Sequence, residues 1–172
     1  ITNSQVSDYD QVGQILKKLK EENFGGRYRK QRISVVVSLA SSNIYTQVFT
    51  LPVLRGKSLE EAIQLNIQMA SPADVSQTYS GWQVAGEDKE GAKLDILSAF
   101  INRDIVDKIH QALSEAGFPV VAVESRAMSL TRLVREQGRG VSAVRPCVIL
   151  SLDNENLDFL VVRRGQLYFE YL

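Results

Sequence analysis

Apolar positions recur along this chain with two different periods, one helical and one of strand type. Near the N-terminus they follow a helical spacing, which predicts an amphipathic helix. Its apolar residues are Val12, Ile15, Leu16 and Leu19. Residues 33–40 are almost all apolar and partly β-branched, so we expect a strand covered on both faces. A second strand follows and ends at Pro52.

Residues 43–124 contain six elements in the order strand, helix, strand, strand, helix, strand. The first helix is expected to begin at Ser58, which has capping-box spacing to Glu61. The two middle strands flank a charged, glycine-bearing turn, so they form an antiparallel hairpin. Asn102 caps the second helix and Gly117 ends it. This order is the split βαβ pattern of ferredoxin-like units.

A third part of the chain follows this unit. Ser125 is expected to cap a helix that runs to residue 137, and residues 147–172 form a strand, a polar turn and a hairpin. A strand covered on both faces needs more sheet and helix than the chain contains around it. We therefore expect an α+β fragment of a larger body, with a partial core at 1–42, an inserted split βαβ subdomain at 43–124 and a return to the core at 125–172.

Composition excludes several classes of protein. Basic and acidic residues number 20 each, which argues against a dedicated nucleic-acid binder. Apolar runs are too short to span a bilayer, so we expect no direct membrane insertion. Cys147 is interpreted as a small buried hydrophobe, His110 as an ordinary helix residue and Trp82 as a partly buried strand residue. No metal site is expected.

Three stretches together resemble a known family, at residues 49–86, 99–134 and 148–169. They contain "LP" after a strand, the helix "KSLEEAI" that ends before Pro72, the junction "EAGFPVVAVESRAMSL" and a closing strand, turn and hairpin. Their order and spacing are similar to PilM, the actin-like cytoplasmic protein of type IV pilus assembly. The resemblance implies an actin-like fold that carries a small inserted split βαβ domain, and it implies that the closing hairpin begins the second half of that fold.

The resemblance also implies a function. PilM is a scaffold whose core and insert form a groove for the N-terminal tail of the inner-membrane protein PilN. By analogy we expect a PilN-like partner, other components of a pilus or secretion machine, and a cytoplasmic location at the inner membrane. Clefts between two bodies are favoured binding places. Topology places this groove near four residues at the junction, namely Leu39, Ser41, Glu124 and Arg126.

Two alternatives share the architecture: a scaffold similar to GspL of type II secretion, and an actin-like ATPase of the FtsA type. Nucleotide-binding relatives place an acidic residue, an apolar residue and a glycine at the end of the closing strand. The matching positions hold Ser151, Leu152 and Asp153, and a later hydroxyl position holds Leu157. A Cβ and a carboxylate hinder the approach of phosphate to the backbone. We expect neither enzyme activity nor a cofactor in this fragment, with ATP and magnesium confined to a full-length parent.

The closing turn offers one further interpretation. Asp153, Glu155 and Asp158 are close in sequence, and carboxylates are ligands that Mg²⁺ prefers. A turn exposed to solvent explains the same residues without a metal. We therefore interpret the three acidic residues as a solvated turn.

Overall fold

The computed structural model describes residues 6, 8–24, 33–87, 92–137, 145–152 and 157–171. These residues form four α-helices, eight strands and two short 3₁₀ turns. In chain order the elements are α1 Tyr9–Phe24, β1 Val35–Leu39, β2 Ile44–Pro52, α2 Lys57–Ala70, β3 Thr78–Glu87, β4 Lys93–Asn102, α3 Arg103–Glu115, β5 Val120–Ser125, α4 Arg126–Gln137, β6 Cys147–Leu152, β7 Leu157–Arg163 and β8 Gln166–Tyr171.

The strands of the described residues form three small sheets. β1 and β5 pair in parallel, which brings Leu39 opposite Ser125. The second sheet is antiparallel with the order β2-β4-β3, and the third is antiparallel with the order β6-β7-β8. Between β7 and β8, Arg164 and Gly165 have φ values of 53° and 71°, as a tight type I′ hairpin turn requires.

All six elements of the split βαβ pattern are present, and the α+β class is confirmed. The pairing of the last strand differs from a four-stranded ferredoxin-like sheet, because β5 joins β1 and not β2-β4-β3. A sequence pattern specifies that a strand exists but not which neighbour it selects. The predicted bounds of the three parts, at residues 42 and 124, remain a prediction.

Capping groups set the ends of α3 and the start of α4, as the sequence predicts. The Asn102 side chain accepts a hydrogen bond of 2.8 Å from the backbone N–H of Asp104. The Ser125 hydroxyl oxygen accepts one of 3.1 Å from the backbone N–H of Met128. These bonds satisfy N–H groups that have no partner within the helix.

Gly117 ends α3 in the left-handed conformation, with φ of 77°. Its backbone N–H donates to the Ser114 carbonyl at 2.9 Å, and the N–H of Phe118 donates to the Leu113 carbonyl at 2.8 Å. These two bonds make a Schellman motif, in which glycine avoids the steric conflict of a Cβ. The C-terminal stop predicted at Gly117 is confirmed.

Replacement of Gly117 by alanine is expected to lower the free energy of unfolding by about 1–2 kcal/mol, the cost of a left-handed L-residue. The comparison is Gly81→Ala, because Gly81 has an ordinary φ and a methyl group added there would meet only open space. Urea denaturation followed by circular dichroism measures both variants. Equal stability of the two variants would contradict the role of the positive φ.

The predicted N-cap of α2, Ser58, is wrong by two positions. The helix begins at Lys57, and its N-cap position is Gly56, whose φ is 55° and which makes no side-chain cap bond. The positive φ of Gly56 lets the helix begin before Ser58. Ser58 therefore lies inside the first turn and forms no capping box with Glu61. Ile63 and Ile67 are buried as expected, whereas Met69 is 69% exposed.

The sheet β2-β4-β3 is covered on both faces. α2 covers one face, where Ile63 and Ile67 pack against Ile96 and Phe100 of β4. On the other face, α4 and the third sheet pack against β3 and β4. The buried residues of this second cluster are Ala85, Leu97, Ala127, Leu160 and Leu167. β4 therefore contributes to two cores, because successive side chains of a strand point to opposite faces.

A third core lies under β1 and β5. α3 and α1 cover one face of this two-stranded sheet. Its members include Ile109, Leu113 and Phe118, with Val35 and Val37 of β1 packed against them. The opposite face of β1 is open in the described residues, since Val36 is 50% exposed. Cover on the second face of β1 therefore stays a prediction about a larger body, because the sequence indicated that this chain lacks the elements for it.

The outer face of the third sheet is apolar and exposed. The register places side chains of β6, β7 and β8 side by side on this face, including the directly opposite pairs Leu150 with Phe159 and Leu152 with Leu157. Its exposed members are Val148, Leu150, Leu152, Leu157, Phe159, Phe169 and Tyr171. The inner face of the same sheet packs against the insert and α4.

Candidate functional site

A groove of about 440 Å³ lies where the sheet β2-β4-β3 meets β5 and α4. Most of its wall is apolar. One wall comes from β3 and β4, the other from β5 and the first turn of α4, and Val106 of α3 lies at one end. The residues that line it include Ile44, Tyr79, Gly81, Gln83, Leu97, Ala99, Ile101, Ala122, Glu124 and Met128.

Small residues on β3 and β4 give the groove its depth. Gly81 lies opposite Ala99 in the antiparallel register, and residues directly opposite each other share a face of the sheet. A Cβ at Gly81 would meet no atom within 4 Å. This pair of small residues therefore leaves room between the neighbouring side chains of Tyr79 and Gln83.

Both walls present strand backbone to the groove. Five consecutive residues of β3, from 79 to 83, line it, as do four consecutive residues of β5, from 122 to 125. In the described residues β3 pairs only with β4, and β5 pairs only with β1. Each strand thus has a free edge, and free edges are templates for pairing with another extended chain.

One end of the groove is held by a small polar network. The Tyr79 hydroxyl donates to the Asp107 carboxylate at 3.0 Å, and the Arg103 guanidinium lies 4.3 Å from the centre of the Tyr79 ring. Arg103 also donates through Nε to the Thr78 carbonyl at 3.2 Å. These contacts fix the ring of Tyr79 between the insert and α3.

Glu124 at the other wall is held by α4. Arg132 donates through Nη1 to Oε2 of Glu124 at 2.7 Å and through Nη2 to Oε1, a bidentate pair. The Ser129 hydroxyl donates to the same carboxylate at 2.7 Å. The bonds from Arg132, together with that from Ser129, lower the pKa of Glu124 although partial burial opposes them. The carboxylate is therefore charged at neutral pH.

A buried ionic cluster lies directly behind the β5 and α4 wall. It consists of Ser41, Thr46, Arg126, Asp158 and Glu170, and we call it the ionic cluster. Nη2 of Arg126 lies 2.6 Å from Oδ2 of Asp158, whose side chain is 1% exposed. The Thr46 hydroxyl donates to Oε1 of Glu170 at 2.9 Å. Five chain segments therefore meet at these polar groups.

The pKa of Glu170 is raised above the ordinary value of 4.5. Burial is the largest cause, because it disfavours the charged carboxylate, and the charge of Asp158 acts in the same direction. Hydrogen bonding with the hydroxyl groups of Thr46 and Ser41 opposes the shift in part. Glu170 is thus the member of the cluster whose charge is least favoured.

The four residues predicted near the junction groove lie in three different places. Glu124 lines the groove. Arg126 and Ser41 belong to the ionic cluster behind the wall, where Ser41 is 2% exposed. Leu39 packs into the core under β1. The structure brings Ser41 and Arg126 together in the ionic cluster and places Glu124 at the groove, and the role of the four residues in partner binding stays a prediction.

The predicted phosphate-loop positions flank the turn between β6 and β7. Asp153 lies outside the described residues. Leu152 and Leu157 face each other at the base of the turn and are 76% and 52% exposed. Ser151 is on the opposite face and pairs with Asp158 in the register. Two exposed leucines do not fit a phosphate group, which requires N–H groups or cationic side chains.

Asp158 is not part of a solvated turn. It lies in β7, and its side chain is buried against Arg126. The interpretation of Asp158 as a solvent-exposed acidic residue is therefore wrong. The alternation of residues along β7 indicates this burial. Asp158, Leu160 and Val162 are alternate residues, so they point to the same face of the sheet, and all three are buried. An acidic residue in such a row needs a buried cation.

A second, larger depression of about 620 Å³ separates α1 from α3. Its wall carries charges of both signs, including Asp8, Asp10, Lys17, Lys108 and Glu115. Ligand sites are mostly apolar with a few polar groups, so this depression is the weaker candidate. Among the described residues no three His, Cys, Asp or Glu side chains are placed to hold a metal ion.

The described helices are all too short or too polar to cross a bilayer.

Of the residues that line this groove, sequence reasoning named Glu124 and missed most of the others. Tyr79, Gly81 and Met128 were not singled out, because their strand and helix patterns are those of ordinary elements. Gly81 is the position with the best signal, since a glycine inside a strand weakens it and marks a close approach of another chain. Trp82, interpreted as partly buried, is 39% exposed and lies at the groove.

Comparison with solved structures shows what this fold resembles. The structure described as "PilM-PilN type IV pilus biogenesis complex" superposes with a TM-score of 0.77 at 17% identity, over 99% of this chain and 50% of that chain. The cytoplasmic domain of EpsL, an inner-membrane component of the type II secretion system of Vibrio cholerae, superposes with a TM-score of 0.50 at 20% identity. That match covers 90% of this chain and 55% of the EpsL chain.

The chain spans about half the length of these two structures. At this identity the similarity establishes the fold alone, and it confirms the actin-like fold and the resemblance to PilM that the sequence predicted. No protein-family model and no curated protein sequence matches the chain.

Proposed function

We propose that this protein is a docking scaffold of a type IV pilus or type II secretion machine. It holds an extended tail of an inner-membrane partner in the groove between the insert and β5. The observation that supports this most is the groove itself, which is apolar, about 440 Å³ in volume and flanked by two strands with free edges. An extended chain can pair its backbone with such a free edge, which a helix cannot do.

The partner is a PilN-like inner-membrane protein, and its N-terminal cytoplasmic tail occupies the groove. Support comes from the fold, since the PilM structure of the same fold is a complex with PilN. A scaffold similar to GspL is the alternative, supported by the resemblance to the EpsL domain. In either case the protein works in the cytoplasm and reaches the membrane through its partners.

The tail binds by two kinds of contact. Its backbone pairs with the free edge of β5 or β3, which gives affinity without selecting a sequence. Alternate side chains enter the space over Gly81 and Ala99, so small or medium apolar residues are selected there. Glu124 at the rim keeps its charge and its bonds to Arg132, and it disfavours an acidic residue of the tail beside it.

Catalysis forms no part of this proposal. The scaffold needs no nucleotide, and Leu152 and Leu157 do not fit a phosphate at the turn where an ATPase of the FtsA type would hold one. A full-length parent would be the place to look for ATP and magnesium.

Isothermal titration tests the docking function directly. The titrant is the N-terminal cytoplasmic peptide of a PilN-like inner-membrane protein from the same organism, and the control is a scrambled peptide of the same composition. We expect a dissociation constant on the order of micromolar for the first peptide. The scrambled peptide should not bind, because the order of small and large side chains has to match the groove. Equal binding of both peptides, or of neither, would refute the proposal.

A further inference from the structure

The ionic cluster connects the groove wall to the third sheet. Arg126 directly follows Glu124 and Ser125, which line the groove, and it precedes Met128, which also lines it. Its guanidinium is held by Asp158 of β7 at 2.6 Å. The corner between β5 and α4 is therefore anchored from behind, through one ion pair, to the β6-β7-β8 sheet.

The described groups of this cluster do not balance in charge when all of them are ionised. Asp158 and Glu170 lie on the same face of the third sheet and repel each other when both are charged, whereas the one guanidinium of the cluster is paired with Asp158. An excess buried charge is unfavourable since the interior screens it weakly. The anchoring of the corner is thus strongest when Glu170 is neutral and weaker when it is charged.

We propose, on the basis of the docking function proposed above, that the ionic cluster is a proton-sensitive latch. Arg126 and Asp158 position the β5 and α4 wall of the groove, and the charge state of Glu170 sets how firmly they do so. Arg126 acts here as a positioning residue and does not itself contact the bound tail.

The sign of the pH dependence follows from Glu170. Its pKa is raised in the folded protein, so its protonated form favours the fold. This contribution is complete below the ordinary carboxyl pKa and is lost as the pH rises through the raised pKa of Glu170. The latch therefore loosens with rising pH, the reverse of what an exposed carboxylate in a salt bridge would do.

Among the described residues, Glu170 interacts with Asp158 on β7, Thr46 on β2 and Ser41 in the turn before β2, and α4 brings Arg126 to Asp158. β3 also packs against β8, and its ionisable residues are Tyr79 and Glu87. Tyr79 is bonded to Asp107, and the Glu87 carbonyl accepts a bond from Arg164 at the opposite end of β8.

Amide hydrogen exchange by NMR on the whole chain tests the latch without any peptide. The reporters are the amides of Val123, Glu124, Ser125 and Met128, and the reference is the amide of Ile67 in α2. In the unmodified protein, protection of the reporters should fall about tenfold between about pH 5 and pH 8 after correction for the intrinsic rate, because a local opening becomes easier. The protection of the reference amide should not fall over the same pH range.

Three variants make the test decisive. Glu170→Gln should abolish the pH profile of the reporters. The double change of Arg126→Met and Asp158→Leu should abolish it too, because it replaces the ion pair by apolar side chains of similar size. Glu21→Gln, an exposed carboxyl on α1, should leave the profile unchanged.

Two results would overturn the latch. One is a profile that persists in Glu170→Gln. The other is an equal loss of protection with rising pH at the reporter amides and at Ile67. Such a result would mean that Glu170 affects the global stability of the fold and not the groove wall in particular. Since no peptide is used, a failure of tail binding in the titration leaves this result intact, and the two proposals fail independently.

Discussion

Replacing Asp158 by alanine is expected to lower the free energy of unfolding by about 3–5 kcal/mol, the usual cost of breaking a buried ion pair. The loss is large because Arg126 stays at the corner of β5 and α4, where its side chain is only 26% exposed and loses its carboxylate partner. Among the described residues, Glu170 is the carboxylate that shares this face of the sheet with Asp158, and it is already bonded to Thr46. Urea denaturation followed by circular dichroism gives the difference.

The matched control removes both charges at once. In the double variant with Arg126→Met and Asp158→Leu, the two ions of the pair are removed together, apolar side chains fill the space, and Glu170 keeps its bond from Thr46. We expect its stability to lie within about 1 kcal/mol of the unmodified protein or above it. If Asp158→Ala cost no more than this double change, the ion pair would not be buried in solution.

Replacing Gly81 by phenylalanine is expected to weaken binding of the partner tail by at least about 30-fold, the size of a hot-spot effect. The change fills the groove, because the Cβ of residue 81 points into open space over Ala99. The fold should tolerate it, since the Cβ meets no atom within 4 Å and the ring would occupy the groove of about 440 Å³. Isothermal titration with the tail peptide measures the affinity, and circular dichroism checks the fold.

Val84→Phe is the matched control for this change. Val84 lies on the same strand, 39% exposed, but it points to the other face of the sheet and does not line the groove. Phenylalanine there adds the same ring without entering the groove, so binding should be unchanged. Equal losses for both variants would mean that the tail binds elsewhere or that β3 is distorted.

Local chemistry was predictable wherever a few neighbouring residues decide it. Asn102, Gly117 and Ser125 act as caps because each needs only the backbone of the next turn. The hairpin of β3 and β4 follows from their period of two and the polar turn between them. Gly56 shows the limit of this reasoning, because its positive φ starts α2 before the residue with the better capping pattern.

The pairing of strands that are far apart in the sequence was not predictable in the same way. β5 has the composition of a strand in either sheet, and it selects β1 because the core of α1 and α3 lies under that pair. The strength of such pairing comes from side chains that are far apart in sequence. Leu39 was therefore placed near the groove by topology, while its side chain is in fact used in that core.

The candidate site depends both on local sequence and on contacts between distant segments. Glu124 could be located from sequence, because the junction between insert and core necessarily passes there. Its partners Arg132 and Ser129 could not, although their helical spacing from residue 125 places them on one side of α4. Asp158 and Glu170 are 12 residues apart in sequence, and only the register of β7 and β8 brings them to one face.

The sequence by itself determined the kinds of element, their order and most of their ends, because periodicity and caps act within a few residues. It also indicated the actin-like fold with an insert through the order of its motifs. Only the tertiary structure decided which edges stay free to form the groove, and which charges are buried behind it. Burial and strand pairing are properties of segments brought together from distant positions, and the free energy of a charge depends on that environment far more than on its neighbours in the chain.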